Sequence, residues 1–122
     1  MLKGFEDITF ELDEYEKALL LPVIVLKIKN NIGIEKAVTN KKMLEYLKGR
    51  GFEKVTDARI RKIISYIRIN QIVPGLMAYS KGYYVTTDPN EIVGYIHSLR
   101  GRINAIWAIE QSFIDYLETL SS

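Results

Sequence analysis

Within TDARIRKIISYIR, residues 56 to 68, the four cations Arg59, Arg61, Lys62 and Arg68 stand against one acid, Asp57. A guanidinium can give two parallel hydrogen bonds to a phosphate or to the O6 and N7 edge of guanine, while an ammonium meets phosphate as a point charge. Residues of this kind suit the binding of a polyanion. Residues suited to catalysis are sparse. His97 is the single histidine and cysteine is absent, which excludes a disulfide framework and a cysteine-based metal site. His97 reads as an ordinary helix-surface residue. No serine lies in a nucleophile motif, and no glycine-rich loop cradles a phosphate. Glu6, Asp7, Glu11, Asp13, Glu14 and Glu16 are spread along the N-terminal stretch and read as a solvated arm, not a catalytic acid pair. The chain reads as a non-enzyme with no metal and no cofactor.

Positioning the four cations requires a helix with one apolar face. At about 100° per residue, Ile60, Ile63, Ile64 and Ile67 fall within an arc of about 100° and form that face. Arg61, Lys62, Ser65, Tyr66 and Ile69 fall opposite, with Arg59 and Arg68 at the borders. Thr56 is the expected N-cap, and Asn70, tolerant of a left-handed backbone, the expected end. Before this helix, Thr39 caps a shorter one over Asn40 to Lys48 that buries Met43, Leu44 and Leu47, with Gly49 or Gly51 as its left-handed stop. A first helix is expected from Asp13 to about Lys29, kinked or broken at Pro22, which has no backbone donor. Residues 8 to 12, ITFEL, alternate like a short strand or extended arm, and residues 34 to 38 read as an extended link. After Pro74-Gly75, LMAY and YYVT flank Ser80-Lys81-Gly82 as a hairpin in which Gly82 supplies a positive φ.

Helix, extended link, helix, helix, hairpin and long helix is the order of a winged helix-turn-helix, a mainly α (α+β) fold. The runs VTDARIRKIISYIR, IVPGLMAYSKGYYV and IHSLRGRINAI, with NNIGIEKAVTNKKMLEYLKGRGF before them, resemble small winged-helix proteins of phages and prophages. The resemblance covers about residues 10 to 110, and its most specific parts are SKGYYV and RIRKIISYIR. It implies a DNA-binding protein, a phage or prophage transcriptional regulator, and names no operator or target gene. Residues 1–12 would be an arm, 13–87 the winged core and 88–122 the long helix, all in one domain.

A second helix of this motif lies in the major groove with its N-terminal residues nearest the bases. The segment 57–70 would therefore offer Arg59, Arg61 and Lys62, with Ser65, Tyr66 and Arg68 reaching phosphates or bases. The wing, 76–86, would set Lys81 on the backbone, and Tyr79, Tyr83 and Tyr84 could stack there or pack inward, Tyr83 above all. Thr39, Lys41 and Lys42 would form a phosphate clamp at the start of the second helix. This reading requires the cations of 57–70 to face outward without partners from the protein's own acids. The alternative is a winged-helix adaptor whose basic helix meets an acidic protein surface.

Charge distribution points the same way. The overall net charge is +2, yet residues 27 to 81 hold thirteen Lys and Arg against Glu35, Glu45, Glu53 and Asp57, while both ends are acidic. Such asymmetry favours nucleic-acid contact through the middle of the chain. The longest apolar run, ALLLPVIVL, is far short of the roughly 20 residues that span a bilayer, so a cytoplasmic protein without membrane contact is expected.

Asp88 and Pro89 open the last helix as N-cap and first residue. Ile92, Ile96, Leu99, Ile103, Ile106, Phe113, Leu117 and Leu120 recur along it at alternating steps of four and three, broken only at Glu110. That is a coiled-coil seam. From about Ile103 the helix is expected to project, and Leu99, Ile103, Ile106, Trp107, Phe113 and Leu117 to form a homodimer contact. Folding back over the first helix would instead bury the stripe within one chain. Gly94 and Gly101 weaken this helix, and read as places for close approach or a bend.

Overall fold

The computed structural model describes residues 11 to 121. Glu6, Asp7, and Ile8 and Phe10 of the expected strand lie outside the described residues. The described chain is mostly helical, with one two-stranded antiparallel hairpin and a long C-terminal helix. It forms two compact units that divide between Thr87 and Asp88.

In the first unit, a π-helical turn, Glu16–Leu20, runs directly into α1, Leu21–Ile28. Asp13 and Glu16 close a reciprocal cap. Glu16 N donates to Asp13 Oδ1 at 2.8 Å, and Asp13 N donates to Glu16 Oε1 at 2.9 Å. Two of the orphan amides of a helix start are thereby satisfied. The π turn closes with Leu21 N donating to Glu16 O, five residues back. The next residue is Pro22, which has no N–H to place, so the hydrogen-bond register slips where a donor is already missing. The expected kink is thus a π turn, and the helix continues to its expected end.

Residues 34 to 38 are not uniformly extended. Ile34–Lys36 form a 3-10 turn, and Val38 alone pairs in β fashion. Thr39 Oγ1 then accepts Lys42 N at 3.1 Å and starts α2, Asn40–Gly49. Phe52 N reaches back to Leu47 O, with Gly51 at φ +94°, and this closes the helix in a Schellman turn. Thr56 Oγ1 accepts Arg59 N at 3.1 Å and starts α3, Asp57–Ile69. At its end the left-handed residue is Gln71, φ 51°, not Asn70. Both the backbone N and the side-chain Nδ2 of Asn70 bond Tyr66 O, which keeps Asn70 right-handed and passes the reversal to the next residue.

Strands β1, Leu76–Tyr79, and β2, Gly82–Val85, pair antiparallel with Tyr79 opposite Gly82. The free edge of β2 bonds the segment before α2. Tyr83 and Val38 exchange hydrogen bonds of 2.8 and 3.0 Å, while Val85 N donates to Asn31 O at 2.8 Å. Core residues come from both helical segments of the first helix, from α2 and α3 and from the hairpin: Leu20, Ile24 and Ile28, Met43 and Leu47, Ile60, Ile63, Ile64 and Ile67 of α3, then Leu76, Tyr83 and Val85. Leu44 is half-buried.

The second unit is α4, Pro89–Ser121. Asp88 caps it as expected, accepting Asn90 N on Oδ1 at 2.9 Å and Ile92 N on its carbonyl. The helix is continuous through Gly94 and Gly101, and a Cβ at either would meet nothing within 4 Å. Leu99 is half-buried, and every residue from Arg100 to Ser121 is exposed.

Candidate nucleic-acid interface

Burial of Ile60, Ile63, Ile64 and Ile67 divides the polar surface of α3 into two flanks. On one flank, Arg59 and Lys62 meet the start of the first helix. Lys62 Nζ lies 2.7 Å from Glu16 Oε1, Arg59 NH2 lies 3.3 Å from Asp13 Oδ2, and Arg59 Nε lies 3.8 Å from Glu16 Oε2. Glu16 is fully buried and Asp13 half exposed. A buried carboxylate is tolerated only when paired and hydrogen-bonded. Two cations and the Asp13 amide meet that need, and the Arg59 guanidinium also lies over the Tyr15 ring, 5.2 Å from its centroid. The expectation that Arg59 and Lys62 face outward without internal partners is therefore not met. The reading of the N-terminal acids as wholly solvated fails at Glu16.

The other flank faces the hairpin. Arg68 Nε donates to Leu76 O at 3.2 Å, tying α3 to β1. Tyr83 donates its hydroxyl to Asn40 Oδ1 at 2.7 Å, and Asn40 Nδ2 donates to Asp57 Oδ1 at 2.8 Å. This chain joins β2, the first residue of α2 and the first residue of α3. Burial raises the Tyr83 phenol above its usual pKa, opposed by the positive charges of Arg61 and Arg68, and Asp57 adds to the rise. Arg61 thus lies within electrostatic reach of the phenol while its own side chain is exposed. Backbone proximity closes the arrangement, because a Cβ at Gly82 would come within 2.5 Å of Val38 C and O.

Four exposed cations border this junction. Lys41 and Lys42 follow Asn40, Lys81 precedes Gly82, and Arg61 stands one turn beyond Asp57. Ser65 and Tyr66 are half-buried on α3, and Thr39 is occupied as the N-cap of α2. Among the hairpin tyrosines, Tyr83 and Tyr84 are buried, and Tyr79, still partly exposed, stacks on Tyr84 at 6.1 Å between centroids. Elsewhere Lys27 and Arg50 lie over the Tyr46 ring and Lys54 over Tyr15. Of the cations of the middle segment, Arg59 and Lys62 are thus paired with the chain's own carboxylates.

Sequence reasoning missed Asn40 and Asp57 as connectors and Glu16 as an interior acid. For Glu16 a signal was present. Glu16, Leu20, Ile24 and Ile28 follow one another at steps of four, and all are buried.

Among the described residues, no three His, Asp or Glu side chains come together to hold a metal ion, and no helix is long and apolar enough to cross a membrane. No protein-family model, curated protein or solved structure matches the chain.

Proposed function

We propose that residues 13–87 form a winged helix-turn-helix unit that binds double-stranded DNA, as part of a transcriptional regulator of the phage or prophage type. One observation carries the reading: the Tyr83–Asn40–Asp57 chain fastens the starts of α2 and α3 to the hairpin, with Lys41, Lys42, Arg61 and Lys81 exposed around it. Helix starts and a wing held together in this way suit a duplex, with α3 in the major groove and the other two elements on the flanking backbone. Arg61 is the base-reading candidate, and Ser65 and Tyr66 stand beside it on α3. Lys41 and Lys42 suit phosphate at the α2 start, and Lys81 suits phosphate at the wing. Arg59 and Lys62, paired with Asp13 and Glu16, are withdrawn as DNA contacts and act in this scheme as struts between α3 and the first helix, and Arg68 as a strut to β1. The reading therefore rests on Arg61, Lys41, Lys42 and Lys81 and no longer on the full set of α3 cations.

Selection from random duplexes with the purified protein tests the proposal, followed by titration of the selected duplex at several salt concentrations. Three phosphate contacts, from Lys41, Lys42 and Lys81, give a slope of log affinity against log salt of about −2.7. Arg61→Glu combined with Lys81→Glu should abolish the selected binding and leave the circular dichroism unchanged. No enriched sequence, or unchanged duplex affinity in the folded double variant, overturns the reading and favours an acidic protein partner.

A further inference from the structure

We propose that α4 pairs with the α4 of a second copy of this chain, and that the two helices run antiparallel. The inference stands independently of what residues 13–87 bind. It begins from exposure: Ile103, Ile106, Phe113, Leu117 and Leu120 are 47 to 69% exposed, and Trp107, Ile109, Ile114 and Tyr116 flank them, themselves exposed. An apolar stripe this long on a helix surface is the mark of an association face. The opposite face carries Asn104, Ala108, Gln111, Asp115, Glu118 and Thr119. No Lys or Arg follows Arg102, and Glu110, Asp115 and Glu118 make the second half acidic. Helices that lie on anionic lipid need a cationic polar face, so a membrane surface is a poor occupant.

Direction follows from where the charges sit. Ile96, Ile103, Glu110 and Leu117 take the first core position of successive heptads, and Ile92, Leu99, Ile106, Phe113 and Leu120 take the second. A parallel pair sets like positions together, so Glu110 would face its own copy in one apolar layer. An antiparallel pair sets the two kinds of position against each other. With Glu110 opposite Ile106 of the partner helix, Ile103 meets Phe113, Leu117 meets Leu99 and Ile96 meets Leu120. The two Glu110 side chains are then offset by about 6 Å along the axis. In that register Arg100 of one copy comes level with residue 116 of the other, on the side of the seam where Glu118 lies. A shift of one heptad in one direction runs the arginines past the last acid, and in the other it carries them away from Glu118 to the level of Trp107 and Ile109, beside Glu110. Trp107 and Ile109 each fall beside their own copies across the two-fold axis, on opposite sides of the seam. The charge pattern of a single helix is thus complementary to its own reverse.

The absence of native cysteine makes a clean test possible. Ile103→Cys and Phe113→Cys are prepared separately at these exposed positions, one carrying a size tag, then mixed and oxidised. Sedimentation equilibrium should show a dimer at micromolar concentration, and Ile106→Asp should reduce it to monomer. The mixed cross-link, Cys at 103 to Cys at 113, should exceed both like-with-like products several-fold. A monomer at all concentrations, or predominance of like-with-like products, overturns the proposal. Neither readout contains DNA, so its failure is separate from failure of the DNA-binding reading.

Discussion

Lys62 Nζ lies 2.7 Å from Glu16 Oε1, and the carboxylate that holds it is only 1% exposed. The pair fastens α3 to the start of the first helix from beneath. It also takes one of the four cations that make α3 basic, and Arg59 goes to the same acids.

Removing one member should cost more than removing both. Lys62→Ala leaves a buried carboxylate with Arg59 at 3.8 Å as its remaining cation. Breaking a fully buried pair costs about 3 to 5 kcal/mol. Lys62 is 29% exposed here, so about 2 kcal/mol is expected after allowance for solvent screening. Glu16→Met together with Lys62→Met should recover most of that loss, because apolar replacements of an ion pair are often neutral or stabilising. Urea unfolding of Lys62→Ala and of the double variant measures this, and a double variant no more stable than Lys62→Ala would contradict it.

Two arginines of one helix should behave oppositely in DNA binding. Arg61→Ala should weaken a selected duplex by about 1 to 3 kcal/mol and relax preference at one base position, with stability unchanged. Arg59→Ala should lower stability and change affinity little, since the Arg59 guanidinium is held by Asp13, Glu16 and the Tyr15 ring. Fluorescence anisotropy with thermal melts on both variants separates the two roles. Equal loss of affinity from both substitutions would rule out the division into flanks.

The capping residues and the apolar faces were legible because they depend on neighbours in sequence. Thr39, Thr56 and Asp88 all cap the helices they precede, and Ile60, Ile63, Ile64 and Ile67 of α3 are buried as their spacing requires. Partners of the polar residues were not legible, because they come from distant segments. Asn40 and Tyr83 are 43 residues apart, and Arg59 meets Asp13 across a similar stretch of chain. A helical wheel shows that Lys62 points away from the isoleucines. It cannot show that another helix start waits there with a carboxylate. The choice of Gln71 over Asn70 for the left-handed position was also hidden, because it turns on one side-chain hydrogen bond to Tyr66 O.

Burial raises the Tyr83 phenol above its usual pKa, which gives stability a pH dependence of known sign. The folded chain keeps the phenol proton to higher pH than the unfolded chain does. Its contribution is complete below the unfolded value of about 10 and is lost as pH rises through the folded value. Unfolding free energy should therefore fall above about pH 10, and Tyr83→Phe should remove this part of the decline. At neutral pH the same variant should cost about 1 kcal/mol through the lost hydrogen bond to Asn40. Denaturant titrations across the alkaline range check both effects, and an unchanged alkaline slope in Tyr83→Phe would count against the assignment.

Three glycines should respond to alanine in opposite directions. Gly82 has φ +117°, and a Cβ there would lie 2.5 Å from Val38 C and O. Backbone strain alone costs about 1 to 3 kcal/mol for a side chain in such a conformation, and the contact adds to it. Gly82→Ala should loosen the hairpin from the α2 start, seen as faster hydrogen exchange at the Val38 and Tyr83 amides. Gly94 and Gly101 have ordinary helical backbone with open space where a Cβ would go. Alanine at each should stabilise α4 by roughly 1 kcal/mol, because the unfolded chain has less freedom to lose. Both lie one step beyond the flanking positions Val93 and Arg100, on the outer side of the proposed helix pair. The Gly94→Ala, Gly101→Ala double variant should thus melt at higher temperature with its sedimentation unchanged. Loss of the dimer in that variant would show that the outer face had been assigned to the wrong side of α4.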